Sequence, residues 1–105
     1  MITIELARHV DEQVMEESLA DILRDWGYGS HGIVLNTLGM TTYEMGAQRI
    51  FIDWVNANTE RIFKVAVVSS NPTWHVVASA IAPAVRVPFR IFFTLDDAQR
   101  WVKAN

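Results

Sequence analysis

The sequence has no cysteine, no long apolar run and no excess of positive charge. Without cysteine, disulfides, thiolate metal sites and cysteine nucleophiles are excluded, and this composition fits a reducing cytoplasm. No apolar run reaches the ~18 residues of a membrane-spanning helix, and the first residues lack the basic and apolar stretches of a signal peptide. Nine Lys and Arg stand against twelve Asp and Glu, a net charge of −3, which argues against nucleic-acid binding. We therefore expect a cytoplasmic protein without a membrane span.

The sequence also lacks the short motifs of common enzymes. It contains no glycine-rich phosphate-binding motif and no G-x-S-x-G turn. The three histidines lie far apart, and none has a second ligand at the spacing of a metal site. We expect a protein without catalysis, cofactor or metal. The enzyme alternative would depend on His31 with Asn36, or on His75 with Ser69 and Ser70.

What the sequence does contain is a regular alternation of predicted strands and helices. Its 105 residues, 50% of them hydrophobic, suffice for one packed domain spanning 1–105. Alternating or continuous apolar residues predict strands at Ile2–Leu6, Ile33–Leu35, Phe63–Val68 and Phe89–Phe93, each followed by apolar residues at helical spacing. The order βαβαβαβα predicts an α/β fold with a small, four-stranded, mostly parallel sheet. For the first strand, antiparallel pairing at an edge is left open.

Each predicted helix carries one apolar stripe. The stripes are Met15, Leu19, Ile22, Leu23 and Trp26 in the first helix, Tyr43, Ala47, Ile50, Phe51 and Trp54 in the second, Val76, Val77, Ala80 and Ile81 in the third, and Ala98, Trp101 and Val102 in the fourth. Asp11, Asn71 and Thr94 are predicted N-caps. On the second helix, Met45 and Ile52 point away from the stripe, which predicts an exposed apolar surface for a partner.

The second helix has its own predicted start signal. Asn36 to Gly39 (NTLG) breaks the second strand, and Thr41 to Glu44 (TTYE) is typical of a capping box with Thr41 as the cap. Because ligand and switch sites of parallel α/β sheets gather at the carboxyl ends of strands, polar residues after the second and third strands are candidates for function. The candidate partner or switch surface is Asn36, Thr37, Met40, Thr41, Thr42, Met45 and Ile52, and the candidate rim is Ser69, Ser70 and Asn71. The alternative is that these hydroxyls only form caps and turns.

Segments of the second half resemble a known family. Lys64 to Trp74 (KVAVVSSNPTW) looks like the third strand and following turn of the SpoIIAA-like branch of the STAS-domain superfamily. Val87 to Phe92 (VPFRIF) and Leu95 to Val102 (LDDAQRWV) look like the end of that branch, a strand finishing on Phe and a helix with an Ala and Trp-aliphatic pattern. The similarity is closest over 60–103 and continues in register over 11–58.

The resemblance implies a non-catalytic regulatory or protein-interaction domain in bacterial signalling. Anti-sigma-factor antagonists of the superfamily bind a kinase through the loop and helix after the central strand, and phosphorylation there stops binding. Their Asp-Ser-Ser-Gly or Asp-Ser-Thr-Gly motif is replaced here by Met40 to Glu44 (MTTYE), which keeps only the hydroxyls of Thr41 and Thr42. The branch is also similar to lipid-binding Sec14-type domains, which implies an apolar or lipid-like ligand as the alternative function.

Two expectations follow from these hypotheses. A protein partner, or self-association as a dimer, would use the outer face of the second helix, so Ile52→Asp is expected to abolish association and leave the fold intact. An apolar ligand would need a pocket of at least ~300 Å³.

Overall fold

The computed structural model describes residues 1–25, 27 and 29–104 and confirms the predicted order of strands and helices. The elements are β1 (Ile2–Val10), α1 (Glu12–Asp25), β2 (His31–Tyr43), α2 (Met45–Ala57), β3 (Ile62–Val68), α3 (Pro72–Ile81), β4 (Phe89–Phe92) and α4 (Leu95–Lys103). A short 3-10 helix, Ala82–Ala84, follows α3. Within the described ranges, no helix has both the length and the apolar character needed to cross a membrane.

The four strands form one parallel sheet in the order β1-β2-β3-β4. Antiparallel pairing of β1 is therefore wrong: Ile2 lies opposite Ile33 and Ile4 lies opposite Leu35 in parallel register. The 14-residue α1 explains this, because it carries the chain back across the sheet before β2 begins. Every strand consequently pairs with its neighbour in sequence, and all four carboxyl ends face one edge of the sheet.

β2 is much longer than its apolar run predicts. The predicted break at 36–39 and the capping box at Thr41 are both wrong, because β2 continues to Tyr43 and pairs with β1 as far as Val10. The register shifts twice along this stretch, each time with one extra residue in β2. β3 ends opposite Asn36, so the last seven residues of β2 extend beyond the rest of the sheet beside β1.

α2 consequently begins without the predicted threonine cap. Its N-cap is Glu44, whose side chain makes no capping hydrogen bond. The carboxylate of Glu12 in α1 lies against Gly46, where a Cβ would overlap it. Negative charge is favourable at a helix amino end. The Glu12 carboxylate of the neighbouring helix therefore stabilises the start of α2, which has no side-chain cap of its own.

The N-caps predicted for the other three helices are confirmed. Asp11 Oδ1 accepts from the Val14 amide at 2.8 Å, which starts α1. Asn71 and Thr94 accept from the second and third amides that follow them, at 2.9 and 3.2 Å. Local sequence thus sets where α1, α3 and α4 begin. The side chains of Leu23 and Trp26, predicted for the α1 stripe, lie outside the described residues.

The two faces of the sheet carry separate cores. The larger core lies under α1 and α2, the smaller under α4 on the opposite face. The smaller core consists of Val34, Ala66, Val68, Ala98 and Val102. α3 lies on the same face as α1 and α2, since its side chains and theirs border one crevice over the sheet.

α4 is positioned by two residues of neighbouring strands. A Cβ on Gly32 would overlap Cγ1 of Val102 and lie 3.3 Å from the Phe63 ring, so α4 lies directly on the β2 backbone. At the same, carboxyl end of α4, Lys64 Nζ donates to the carbonyl oxygens of Trp101 at 2.9 Å and Ala104 at 2.8 Å. Its ammonium group lies 4.8 Å from the Trp101 ring centre, which adds a cation–π contact.

The inward face of α3 differs from the predicted stripe. Val76 is 71% exposed and Ala80 is also exposed. The residues of α3 that border the crevice are Trp74, Val77, Ala78 and Ile81. Most positions of α3 are apolar, so helical spacing alone does not select one face.

Candidate functional site

An apolar crevice lies between α2 and α3 over the sheet. Its floor includes Leu35 and Val67 from the central strands, and its walls include Phe51 of α2 and Val77 of α3. It encloses about 90 Å³. This is well below the ~300 Å³ expected for a ligand pocket. In this state the crevice accommodates an apolar side chain or a thin chain rather than a bulky molecule.

Two aromatic rings meet across the crevice. Tyr43, the last residue of β2, and Trp74 of α3 have ring centres 5.7 Å apart at 75°, an edge-to-face contact. Both side chains are half-buried and line the crevice. The sequence predicts Tyr43 as part of the α2 stripe but does not predict its contact with Trp74, because 31 positions separate the two residues and no local pattern connects them.

Two buried hydroxyls lie in the floor of the crevice. Thr37 Oγ1 donates to the Val68 carbonyl at 2.6 Å, which closes the sheet where β3 ends. Ser69 is 1% exposed, and its Oγ accepts from the Asn71 amide at 3.1 Å. Both residues were predicted as candidates, and the structure brings them together on the lining of one crevice.

The other predicted candidates lie apart from the floor. Asn36 Oδ1 accepts from the Leu38 amide at 3.0 Å and so satisfies a backbone group beyond the end of β3. Met40 is half-buried and lines the crevice, whereas Thr41 and Thr42 are exposed on β2. Ser70 and Asn71 are exposed, and Asn71 serves as the α3 cap.

Met45 and Ile52 do not form the exposed pair that the helical spacing predicts. Met45 is 71% exposed at the first position of α2. Ile52 is half-buried and packs against the larger core. Because α1 packs beside α2, the buried arc of α2 is wider than its central stripe. The predicted exposure of Ile52 is therefore wrong.

His75 connects the start of α3 to the sheet. Its Nε2 donates to the Ser69 carbonyl oxygen at 2.7 Å, and its ring stacks on Phe93 with centres 3.7 Å apart. The enzyme alternative paired His75 with a serine hydroxyl, but the described contact is with a backbone carbonyl. His31 and Asn36 lie five residues apart along β2, about 16 Å in an extended strand, so they do not form one site.

His9 makes a polar cluster that the sequence does not predict. Its Nδ1 hydrogen-bonds Thr42 Oγ1 at 2.6 Å, and its Nε2 lies 3.4 Å from Glu44 Oε1. The hydroxyl, imidazole and carboxylate are in the order of a catalytic relay. However, the side chains of His9 and Glu44 are 53% and 54% exposed, and no described cleft encloses them. The cluster links β1 and β2 to the start of α2.

No group of three His, Asp or Glu that could hold a metal ion occurs in the described part of the chain. Exposed large apolar side chains are instead concentrated near the carboxyl ends of the strands. They are Leu38, Met45, Val76 and Phe93, called the carboxyl-edge residues below. The described chain has two further large apolar side chains of this kind, Met1 and Phe63, which lie at the opposite edge.

Comparison with known proteins identifies the architecture. No family model matches the sequence, and no curated protein matches it. The fold is similar to that of an uncharacterized protein of the DUF3478 family from Shewanella loihica, which has a SpoIIAA-like fold. The TM-score is 0.74 and the sequence identity 9%, and the match covers 95% of this chain and 82% of that chain. Together with the parallel four-stranded sheet, this similarity shows that the chain has a SpoIIAA-like fold.

Proposed function

We propose that this chain is a non-catalytic, STAS-like regulatory domain that binds a protein partner through the carboxyl edge of its sheet. The observation that carries the proposal is the concentration of the exposed carboxyl-edge residues at the end of the sheet where Met40, Tyr43 and Trp74 line an apolar crevice. Apolar side chains concentrated on one side of a protein mark interaction surfaces, and a crevice of this size accommodates a partner's apolar side chain. The proposal keeps the predicted cytoplasmic location and a role in signalling, which cell fractionation and identification of the partner would test.

The proposal changes the residues assigned to the partner surface. The Asn36–Thr42 segment is a strand, and Ile52 packs against the core. Met40 and Met45 remain from the original surface, while Val76 and Trp74 are added. A phosphate on Thr41 would not lie at a free helix amino end, because Thr41 belongs to β2 and the Glu12 carboxylate already lies against the start of α2. Regulation by phosphorylation is therefore not part of the proposal.

Site-specific photo-crosslinking in the host cell tests the partner surface. A photoreactive amino acid would replace Met45 or Val76 at the carboxyl edge, with Phe63 at the opposite edge as the matched exposed control. We expect Met45 and Val76 to capture the same protein and Phe63 to capture none of it. Equal capture at all three positions, or capture at Phe63 alone, would contradict the proposed surface.

A second candidate function is the binding of an apolar small molecule in the crevice. The specific observation in its favour is that an apolar hollow remains between α2 and α3, unfilled by the side chains of either helix. Native mass spectrometry of the protein purified from its host would test this candidate. A reproducible added mass that disappears in Val77→Trp, whose larger side chain fills the crevice, is expected. An unmodified polypeptide mass in every preparation would exclude a resident ligand.

A further inference from the structure

The charged residues of the chain are unevenly distributed along the sheet. Residues 1–60, which include β1, α1, β2 and α2, contain ten of the twelve acidic residues and three of the nine basic ones. Residues 61–105, which include β3, α3, β4 and α4, contain two acidic and six basic residues. Because β1 and β4 are the two edges of the sheet, the β1 side of the molecule is acidic and the β4 side is basic. The basic side favours a partner that carries negative charge.

β4 presents unpaired backbone groups at the basic side. Among the described residues, β4 pairs with β3 alone. The carbonyl oxygens of Pro88 and Phe92 accept from amides of β3 and of the residue that follows it, at 2.9 and 3.0 Å. Since the backbone groups of successive residues point to opposite sides of a strand, the N–H and C=O groups of Phe89 and Ile91 point to the free edge. These are the groups that an added strand binds.

A depression of about 280 Å³ lies beside this edge, on the face of the sheet that α3 covers. Its lining residues are Ala78, Ser79, Ala82, Phe89, Arg90 and Ile91. The side chains that α3 and the 3-10 helix contribute are small, so space remains beside β4 at the position of a fifth strand. Alternate side chains of such a strand would point into the depression, where most of the lining is apolar.

Arg90 provides a positive charge on the opposite face of the same edge. Its register partner is Ala66 of the smaller core, so its side chain lies on the α4 side of the sheet. The guanidinium carbon lies 5.3 Å from the ring centre of Phe92 and 5.8 Å from that of Trp101. No described carboxylate lies within ion-pair distance of it. A guanidinium held against aromatic rings can still donate bidentately to a carboxylate, and its fixed position lowers the entropic cost of binding.

We propose that the free edge of β4 binds an extended segment of a partner protein in which apolar and acidic residues alternate, and that this segment adds a fifth strand to the sheet. Its backbone pairs with Phe89 and Ile91, two apolar side chains enter the depression, and the acidic side chain between them binds Arg90. The chain's own edge strand β1 does not fit this role, because Arg8 interrupts it with a φ of 61° and adds a positive charge. The site is separate from the carboxyl-edge residues and does not depend on the partner proposed for them.

Two short peptides test the charge preference. The probes are Ser-Thr-Val-Glu-Val-Thr-Ser and the same peptide with Lys in place of Glu, both with blocked ends, titrated into the labelled full chain and followed by NMR. Each reads the same in both directions, so parallel and antiparallel addition are tested together. We expect the Glu peptide to bind at least about threefold more tightly, as for one exposed ion pair. Arg90→Glu should reverse this order, whereas Arg49→Glu, at an exposed arginine of α2, should preserve it.

Two adjacent substitutions on α3 test the location. Ser79 and Ala80 are both exposed, but only Ser79 lines the depression. Ser79→Trp should abolish binding of the Glu peptide, while Ala80→Trp should bind it as the parent does, with circular dichroism confirming that each variant is folded. Equal binding by the two variants would overturn the assignment of the depression.

Hydrogen exchange tests the addition of a strand. At saturation with the Glu peptide, the amides of Phe89 and Ile91 should exchange at least about tenfold more slowly, while the Arg90 amide, which faces β3, should change less. Unchanged exchange at Phe89 and Ile91, or no peptide binding at millimolar concentration, would overturn the proposal. Sedimentation of the free chain provides a further test. A dimer that Ser79→Trp dissociates would show that a second copy occupies this edge, which would also overturn it.

Discussion

Gly32 and Lys64, on neighbouring strands, determine how α4 lies on the sheet. At Gly32 the helix touches the strand backbone through Val102, which is 2% exposed and has no room to move away. Lys64 satisfies two carbonyl groups at the carboxyl end of α4, where a helix has no internal donors left. Position 32 therefore requires the smallest residue, and position 64 requires a long cationic one.

Gly32→Ala should lower the free energy of unfolding by about 1–3 kcal/mol, because the added methyl group overpacks a filled core. Gly39→Ala, in the same strand, is the matched control. A Cβ at position 39 would lie 3.5 Å from the Ala7 Cβ, an ordinary contact. Urea unfolding of both variants measures the difference. Equal stability of the two would show that α4 can move away from β2 at little cost.

Lys64→Met should lower the free energy of unfolding by about 1 kcal/mol, since it removes two hydrogen bonds to a charged donor at a partly exposed position. The apolar stem of the side chain is retained. Lys103→Met removes the same charge from the last turn of α4, but no described hydrogen bond depends on it. Chemical denaturation should show lower stability, and amide exchange at the end of α4 should be faster, in Lys64→Met but not in Lys103→Met. If both variants lost the same stability, the contribution of Lys64 would come from its charge and not from its two hydrogen bonds.

At the level of elements, local signals predict helix starts well and strand ends poorly. Asn71 before Pro72 correctly predicts the start of α3, because an N-cap side chain bonds only to backbone amides in the first turn of its own helix. The polar segment after Leu35 was predicted to be a loop, yet it is strand. Its backbone partners lie in β1, more than thirty residues earlier. No local sequence pattern indicates pairing between segments so far apart.

The candidate site was predictable to a similar extent. The rule that sites gather at strand carboxyl ends selected Thr37 and Ser69, which do meet on one crevice. The contacts of Tyr43 with Trp74 and of His9 with Thr42 join distant segments. These contacts depend on the register of the sheet and the placement of the helices, which the spacing of apolar residues in the sequence does not predict.

Because α1 packs beside α2, we now expect Ile52→Asp to destabilise the fold, whereas the sequence predicted that it would leave the fold intact. Ile52→Asp should lower the free energy of unfolding by about 2 kcal/mol, because it places a carboxylate against the larger core. Met45→Asp, on the same side of the helix but 71% exposed, should change stability by less than about 0.5 kcal/mol. Thermal or urea unfolding of both compares them directly. If Ile52→Asp were as stable as the parent, the packing of α1 against α2 would have to be revised.

For the molecule as a whole, burial is greatest in the two central strands. Residues 33–35 of β2 and 65, 66 and 68 of β3 are buried, with one helical layer on each face. β4 has four residues and a free edge, and none of its side chains is fully buried. The interior of the sheet and its β4 edge should therefore differ in local stability.

Native-state amide exchange should show this difference. The slowest amides should lie in residues 33–36 and 65–68, with exchange rates approaching those of global unfolding. Amides of β4 that do not pair with β3 should exchange much faster. Uniform protection across all four strands would mean that the sheet opens only as a unit.

The order β1-β2-β3-β4 also has a consequence for the chain while it is being made. Each strand emerges from the ribosome after the neighbour it will pair with, so the sheet can grow from one side without rearrangement. The 18 residues from 44 to 61, between β2 and β3, take about 1–4 s to synthesise at roughly 5–20 residues per second. During that interval the apolar edge of β2 has no partner, although pairing itself requires only microseconds. During its synthesis the chain therefore exposes to aggregation an edge that is hidden in the finished protein.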